Sequence, residues 1–249
     1  MMKFIFKNKI IFFLSISLSV IFSQKSIAIV TKKTGSVDYK YYLNKSFSSD
    51  INFASELFNN DLIRTGKDGF VKFSYLDDGT TIKIHNDSEL YVRGQINQGS
   101  ISKRINMSNG LLKLDVSKQN DDVFKVITPT SVASVKGTSF ILESDSDGDK
   151  FYGFEGIVEV LNKESNQIVK LSKNLKVMSL SDGNINSEII TESDSELLNV
   201  FIEYEEEIEE DPVQDIPGQE DSSSSIKELK IKVYSPEGEE KTIIIKYNE

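Results

Sequence analysis

The chain has 249 residues, no cysteine, one histidine and a formal net charge of -10. The lack of cysteine excludes disulfides and thiolate sites, and a single imidazole argues against a zinc site or a histidine-based catalytic relay. No basic stripe runs along the sequence, which argues against a nucleic-acid partner, because binding phosphates requires clustered Lys and Arg.

The first residues have the pattern of a secretory signal peptide. A lysine-rich start precedes an uncharged apolar run of 13 residues, Ile10 to Phe22, which is shorter than the roughly 20 residues that span a bilayer. Small side chains at Ser26 and Ala28 predict cleavage after Ala28, with a retained signal anchor as the alternative. We therefore expect residues 1–28 to be removed, leaving a periplasmic or secreted bacterial protein without a membrane span.

The body of the chain has the pattern of short β-strands. Val71, Phe73 and Tyr75 alternate with polar residues, and Asp77-Asp78-Gly79-Thr80 turns the chain into a second alternating run, which predicts a hairpin. His85, at the end of this hairpin, is interpreted as an ordinary surface residue. Further strands are predicted at Leu90 to Val92, Ile101 to Ile105, Leu111 to Val116, Val123 to Ile127, Val132 to Val135, Phe140 to Leu142, Phe151 to Phe154, Ile157 to Leu161, Ile168 to Leu171, Leu175 to Leu180 and Ile185 to Ile190.

Turn residues bound each of these strands, and no helical period competes with them. The pattern predicts an all-β domain over residues 29–191, built as a short-stranded antiparallel sandwich or a stacked β architecture.

Two motifs in this body resemble those of the extracytoplasmic FecR domain. The first has the spacing Leu-x-x-x-Asp-x-Ile-x-Thr-Gly, and the second joins Thr-Pro to a later Val-Arg-Gly-Thr-x-Phe, with Lys136 here in place of Arg. The residues that carry the resemblance are Leu57, Asp61, Ile63, Thr65, Gly66, Thr128, Pro129, Val135, Lys136, Gly137, Thr138 and Phe140. The resemblance covers roughly residues 29 to 190 and implies an all-β envelope domain.

Full-length FecR regulators also carry a cytoplasmic anti-sigma segment and a membrane helix, which this chain is expected to lack. Direct control of a sigma factor is therefore not carried over. We interpret the motif residues as fold-specifying, because Pro129 suits a strand entry and Gly137 permits a bulge. Lys136 could in addition present a cation for binding.

The acidic residues could support two chemistries, calcium binding and acid-base catalysis. Asp145, Asp147 and Asp149 alternate as calcium ligands do, but the same residues favour a plain hairpin turn, and no glutamate completes an EF-hand loop. No catalytic motif occurs, and no pair of carboxylates is marked for acid-base work. We predict no enzymatic activity and no cofactor.

The C-terminal segment differs in composition from the body. The run from Glu192 to Asp221 contains 13 acidic residues and no basic ones. Residues 192–210 have the pattern of an acidic amphipathic helix, 211–225 of a disordered linker and 226–249 of a terminal β-hairpin. The apolar stripe of the helix would contact either the body or a partner, and it consists of Leu197, Phe201, Tyr204 and Ile208.

Together these features favour a secreted or periplasmic, non-enzymatic FecR-like module that contacts envelope proteins, with a role in envelope signalling as one option. The alternative is a module that binds glycan or peptidoglycan. Clustering of Tyr39, Tyr41 and Tyr42 on one surface would favour sugar stacking, whereas their burial would weaken it. A hydrolase would require two convergent carboxylates in a cleft.

Overall fold

The computed structural model describes residues 24–119, 123–195 and 198–199, together with the backbone of residues 227–234 and 240–247. Residues 1–23 of the predicted signal peptide, most of the predicted acidic helix and the predicted linker lie outside these residues. Within the described part of the chain, no helix combines the length and apolar character needed to cross a membrane.

The described chain is almost entirely β, which confirms the predicted fold class. Its strands are β1 (Ala28–Thr34), β2 (Val37–Lys40), β3 (Glu56–Leu57), β4 (Asp61–Thr65), β5 (Phe70–Tyr75), β6 (Thr81–Ile84), β7 (Glu89–Asn97), β8 (Ser100–Val116), β9 (Phe124–Ile127), β10 (Ser131–Val135), β11 (Thr138–Ser144), β12 (Gly148–Glu155), β13 (Ile157–Asn162), β14 (Ile168–Ser172), β15 (Leu175–Leu180), β16 (Ile185–Ile189), β17 (Lys227–Tyr234) and β18 (Glu240–Tyr247).

The strands β1 to β16 pair into one continuous 16-stranded sheet, and the long strand β8 divides this sheet into two halves. The first half has the order β3-β1-β5-β6-β8-β11-β12-β15-β16. The second half has the order β2-β4-β7-β8-β9-β10-β13-β14. Among the described strands, every pairing is antiparallel except that of β8 with β9. Separately, β17 and β18 pair as an antiparallel hairpin.

One hydrophobic core lies between the two halves. Alternating strand residues supply it, so that Phe140 and Leu142 of β11 point inward beside Phe151 of β12. At the other end of the core the Tyr75 ring meets the rings of Phe73 and Phe124 edge to face, with centroids 5.8 and 6.2 Å away, a favoured aromatic geometry. Side chains from both halves therefore fill a single sandwich interior.

The length of β8 differs from the sequence prediction. Two separate strands were expected, divided by Ser108-Asn109-Gly110, but β8 runs unbroken for 17 residues. Asn109 still pairs with β7 in one half, whereas Gly110 pairs with β11 in the other. Gly110 has a φ of +118°, so the turn-forming residues bend the strand from one half into the other and do not end it.

The prediction that His85 is a surface residue is wrong. Its side chain is buried, and its ring lies 5.1 Å from the Phe70 ring in an edge-to-face contact. Strand β6 ends at Ile84, so the alternation of inward and outward side chains does not extend to His85. Its polar character therefore did not predict exposure.

The N-terminal boundary can be examined from the packing of β1. Ile27 and Ala28 are fully buried, and the Ile27 N–H donates to the Leu57 carbonyl at 2.8 Å. Cleavage after Ala28 would remove both residues from the core and leave a cavity, which is costly.

We therefore expect signal peptidase to cut upstream of Ile27, with Ser23 as the small residue before the cut and Gln24 as the first residue of the mature protein. N-terminal sequencing of the exported protein checks this. A mature chain that begins at Ile29 would contradict it, and would show that the core forms without Ile27 and Ala28.

Candidate functional site

The first motif builds the loop that follows β2. The buried Asp61 accepts three hydrogen bonds through its carboxylate: from the Tyr39 hydroxyl at 2.5 Å, the Phe58 N–H at 2.7 Å and the Tyr42 N–H at 2.9 Å. Burial raises the pKa of Asp61, and the three donors only partly oppose this rise. Burial also raises the pKa of Tyr39, and the bond to Asp61 adds to the effect.

The end of the same motif closes the turn after β4. The Thr65 hydroxyl donates to the His85 carbonyl at 2.5 Å and accepts the Ser88 N–H at 3.0 Å. Gly66 donates to the Ser36 carbonyl through its N–H. Leu57 and Ile63 are fully buried. All the polar atoms of the motif discussed so far are thus engaged inside the fold.

The second motif organises the entry to β10. The buried Thr128 hydroxyl donates to Asp149 at 2.6 Å and accepts the N–H groups of Thr130 and Ser131. Pro129 is exposed between them, and the Lys163 ammonium donates to the Thr128 carbonyl. This is a side-chain-supported turn, in which Thr128 links the β10 entry to the first residues of β12.

The remaining residues of the motif form a tight bend between β10 and β11. Gly137 has a φ of +107°, and a Cβ at this position would lie 2.9 Å from the Lys118 Cα. Val135 and Phe140 are fully buried on either side of the bend, and Lys136 is exposed. The register with β12 shifts just after the bend, next to Phe140.

Gly137→Val is therefore expected to destabilise the domain by about 2 kcal/mol or more, because a β-branched residue is strained at positive φ and would press on Lys118. Lys136→Ala should change the stability by less than about 0.5 kcal/mol, since the side chain is exposed. Chemical unfolding curves measure both variants. Equal effects would mean that the bend is not set by Gly137.

An aromatic patch lies next to Asp61, which accepts the N–H groups of two of its members, and consists of Tyr41, Tyr42 and Phe58. The Tyr41 ring is 4.4 Å from the Tyr42 ring and 5.3 Å from the Phe58 ring, the latter edge to face. All three rings are half-buried, so the patch combines partly exposed faces with a fixed geometry. Separately, the Arg64 guanidinium stacks on Phe47 at 4.2 Å from the ring centroid.

The FecR protein family model matches residues 61–159, the region that contains Asp61, the Thr65-Gly66 turn and the whole second motif. Residues 61–159 therefore match a FecR domain, and the all-β body that contains them is called the FecR domain below. Two crystal structures of a candidate anti-sigma factor from Parabacteroides distasonis ATCC 8503 are similar to it at 18% and 19% identity, each with a TM-score of 0.44. Each alignment covers 51% of this chain and 59% of that one, so less than two thirds of those proteins is spanned. No curated protein matches the chain.

The carboxylates of Asp145, Asp147 and Asp149, at the turn between β11 and β12, do not converge on one point. Asp145 caps its own turn by accepting the N–H groups of Asp147 and Gly148 at 2.8 and 3.2 Å. Asp149 points instead into the protein, where it accepts from Thr128. Among the described residues, no group of three His, Cys, Asp or Glu side chains could hold a metal ion.

Sequence reasoning missed a second set of acidic residues. The turn at Asp77-Asp78 was interpreted only as a hairpin connection, but both carboxylates are buried against the Lys103 ammonium. The sequence did contain an indication of these buried carboxylates, because Lys103 stands between Ile101 and Ile105 on the inward side of an alternating strand. A lysine at a core-facing position requires a buried anionic partner.

The start of the C-terminal segment is attached to the outer face of the FecR domain. Residues 192–195 and 198–199 are helical, and Leu198 is buried against Ile141 of β11 and Tyr152 of β12. The helical turn begins with a reciprocal cap between Thr191 and Asp194. Leu197, Phe201, Tyr204 and Ile208, the predicted contact stripe, lie outside the described residues.

Asp194 connects this cap to β15. Its carboxylate accepts from Lys176 at 3.0 Å and from the Thr191 hydroxyl at 2.7 Å. Burial acts to raise the pKa of Asp194, but the bonds from Thr191 and Lys176 outweigh it and lower the pKa to about 2.

Because the folded pKa is below the unfolded one, Asp194 contributes stability that is present above about pH 4 and is lost as the pH falls towards 2. We expect the near-ultraviolet signal of Tyr152, which contacts the helical turn, to change over this range. The same titration of an Asp194→Asn chain should lack that component. Identical curves for the two chains would contradict the role of Asp194.

Proposed function

We propose that this protein is an exported, non-enzymatic FecR module that acts through protein-protein contact in the bacterial cell envelope, in envelope signalling. The family match supports a regulatory and not a catalytic role. The signal-peptide pattern supports a periplasmic or secreted location. The acidic C-terminal segment is the candidate contact element.

The attachment of this segment carries the proposal. Leu198 and the Asp194 to Lys176 ion pair fix its first turn to the outer face of β11, β12 and β15. From that fixed point the sequence continues with the remaining residues of the apolar stripe, Phe201, Tyr204 and Ile208, among carboxylates. Anchoring the start of a contact segment lowers the entropy that is lost when the segment binds a partner.

The anchoring also decides where the chain should be cut in a test. A chain that ends at Thr191 would lose Leu198 and expose Ile141 and Tyr152, so loss of binding could reflect damage to the domain. A chain that ends at Asn199 keeps the anchor and removes only the segment beyond it. Circular dichroism and unfolding curves should be the same for this chain and for the full-length protein.

Envelope extract is then passed over both immobilised chains, and any protein retained is expressed alone and its affinity measured. The proposal predicts at least a tenfold weaker affinity for the chain ending at Asn199. A matched full-length variant with Phe201→Ala and Tyr204→Ala keeps the length and charge of the chain but lacks two aromatic rings of the stripe. It should show the same loss of affinity. Equal affinity for all three chains would overturn the assignment of the contact element.

A glycan-binding role is the second candidate, because the aromatic patch is a stacking platform of fixed shape. Tyr41 and Tyr42 lie side by side, and the Phe58 ring meets Tyr41 edge to face. If the patch binds peptidoglycan, Tyr41→Ala should reduce cosedimentation with purified sacculi severalfold. Leu43→Ala is the matched control, because Leu43 is 70% exposed in the same loop but has no ring. Equal sedimentation of both variants would remove this candidate.

A hydrolase is not favoured by the groove beside Pro129. Asp145 and Glu164 contribute carboxylates to its lining, but both are exposed, and Asp145 is occupied by its own turn. A general acid needs a raised pKa, which requires a drier setting than an exposed turn.

A further inference from the structure

A buried ion cluster closes one end of the FecR domain. It consists of Asp77 and Asp78, from the turn between β5 and β6, and Lys103 from β8. The Lys103 ammonium lies 2.6 Å from Asp77 Oδ2 and 3.0 Å from Asp78 Oδ2. The side chains are only 2% exposed for Lys103 and 5% for each aspartate. The turn belongs to one half of the sheet, and this part of β8 pairs in the other half.

The surroundings hold the three groups in place. Asp77 Oδ2 also accepts the Ile101 N–H at 2.8 Å, and Asp78 accepts the Thr80 N–H at 2.8 Å and the Gln119 amide at 2.6 Å. The Lys103 ammonium lies 5.7 Å from the centroid of the fully buried Tyr75 ring. The site is therefore dry, rigid and walled on one side by an aromatic ring.

As an ion cluster, this arrangement is costly. Two carboxylates face one ammonium, so ionisation of all three would leave an uncompensated negative charge in the interior. In addition, Asp77 Oδ1 is buried without a hydrogen-bond partner, which natural proteins avoid. Burial, followed by repulsion from Asp78, raises the pKa of Asp77, whereas Lys103, the Thr80 N–H and Gln119 outweigh burial and lower the pKa of Asp78. The neighbouring carboxylates therefore differ, Asp77 tending to the neutral acid and Asp78 to the anion.

We propose that Lys103 and Asp77 condense to an intramolecular isopeptide bond. In this reaction Lys103 Nζ, as the neutral amine, forms a bond to Asp77 Cγ while Asp77 is the protonated acid. Asp78 accepts a proton from the attacking nitrogen and returns it to the departing Asp77 oxygen, which leaves as water. The products are one amide and one water molecule, Asp78 is regenerated, and no oxidant or other reactant is needed.

Proximity and dryness both favour this reaction. Reacting groups held in contact have effective concentrations of roughly 10⁵ M or more, and in a dry site the neutral acid and amine are not lost to hydrated ions. The product also removes the two opposite charges and leaves an amide N–H that can donate to Asp78. The bond would lock the β5–β6 turn to β8 and so fasten the two halves, in a chain that has no cysteine to form a disulfide.

Mass spectrometry of the purified full-length protein tests the proposal without any substitution. The denatured chain is expected to be lighter than its sequence by one water molecule. Trypsin should give a branched species in which residues 73–83 are joined to residues 94–104, because an acylated Lys103 is no longer a cleavage site. A full sequence mass, together with the two separate peptides and normal cleavage at Lys103, would overturn the proposal.

Three variants separate the chemistry from the fold. Lys103→Arg should show the full sequence mass, because the guanidinium cannot acylate. The Asp77→Asn chain should be lighter than its sequence by one ammonia molecule and not by one water, because the side-chain amide introduced at position 77 releases ammonia when the isopeptide bond forms. Asp78→Asn should leave the linked fraction severalfold lower after the same incubation, with folding checked by circular dichroism. Loss of water from the Lys103→Arg chain would show that the mass change arises elsewhere and would contradict the assignment.

Discussion

Gly110→Ala is expected to destabilise the FecR domain by about 2 to 6 kcal/mol. Gly110 has a φ of +118°, where a residue with a Cβ is strained by about 1 to 3 kcal/mol. In addition, the new Cβ would lie 2.1 Å from the Ser88 Oγ and 2.4 Å from the Ser88 Cα. The Cα belongs to the backbone and cannot rotate away, so the turn at Ser88 and β8 must move apart, which adds an overpacking cost of about 1 to 3 kcal/mol.

Ser88 cannot move freely, because its hydroxyl accepts the Leu111 N–H at 2.9 Å and its own N–H donates to Thr65. The clash would therefore disturb the bend of β8 and the turn of the first motif together. Gly99→Ala is the matched control, since Gly99 also has a positive φ, of +90°, but no atom lies within 4 Å of its Cβ position. It should cost about 1 kcal/mol. Similar unfolding midpoints for the two variants would show that strain alone, and not the contact with Ser88, matters at Gly110.

Local alternation was sufficient to predict much of the fold. The hairpin of β5 and β6 was predicted from a strict period of two around Asp77-Asp78-Gly79-Thr80, and the same pattern located the strands from β9 to β16. Most of the strands ahead of Val71 were not predicted individually. β3 has only two residues, and β1 contains the run Thr31-Lys32-Lys33-Thr34, whose polar residues hide the alternation.

The path of β8 could not be derived from the sequence. A Gly preceded by Ser and Asn ordinarily ends a strand, and only the pairing of its two ends with different neighbours shows that Gly110 is a bend. His85 illustrates the same limit, because its burial depends on Phe70 and on the turn at Thr65, which are distant in the sequence. Non-local contacts determined both outcomes.

The candidate site was predictable in part. The motif residues were recognised, but their spacing does not show that Asp61 reaches back to Tyr39 and Tyr42. The clustering of Tyr41 with Tyr42 was anticipated, whereas the sequence did not indicate that Phe58 joins them from a separate loop. The buried ion cluster was missed, because aspartates in a turn are usually solvated and nothing near them in the sequence indicates that Lys103 will cover them.

Asp61→Ala is expected to destabilise the domain by about 3 kcal/mol or more. The substitution leaves the N–H groups of Phe58 and Tyr42 and the Tyr39 hydroxyl without their acceptor, and each unsatisfied buried donor costs about 1 to 3 kcal/mol. The half-buried Tyr39 can recover part of this by bonding to water. Asp38→Ala is the control one residue before Tyr39, where the carboxylate accepts only a long bond of 3.5 Å from Ser49; its effect should stay within about 0.5 kcal/mol.

A second measurement separates the specific role of Asp61 from a general loss of packing. In the native chain, burial and the bond to Asp61 both raise the pKa of Tyr39, so this tyrosine should ionise later than an ordinary one in an ultraviolet titration. In Asp61→Ala chains that remain folded, the hydrogen bond and the nearby negative charge are gone, and the pKa of Tyr39 should fall towards its usual value. Because Tyr42 is held by the same carboxylate, its contact with Tyr41 should loosen too, and the near-ultraviolet signal of the aromatic patch should decrease. A destabilised variant with unchanged tyrosine titration would mean that Asp61 supports the core and not the loop that carries the patch.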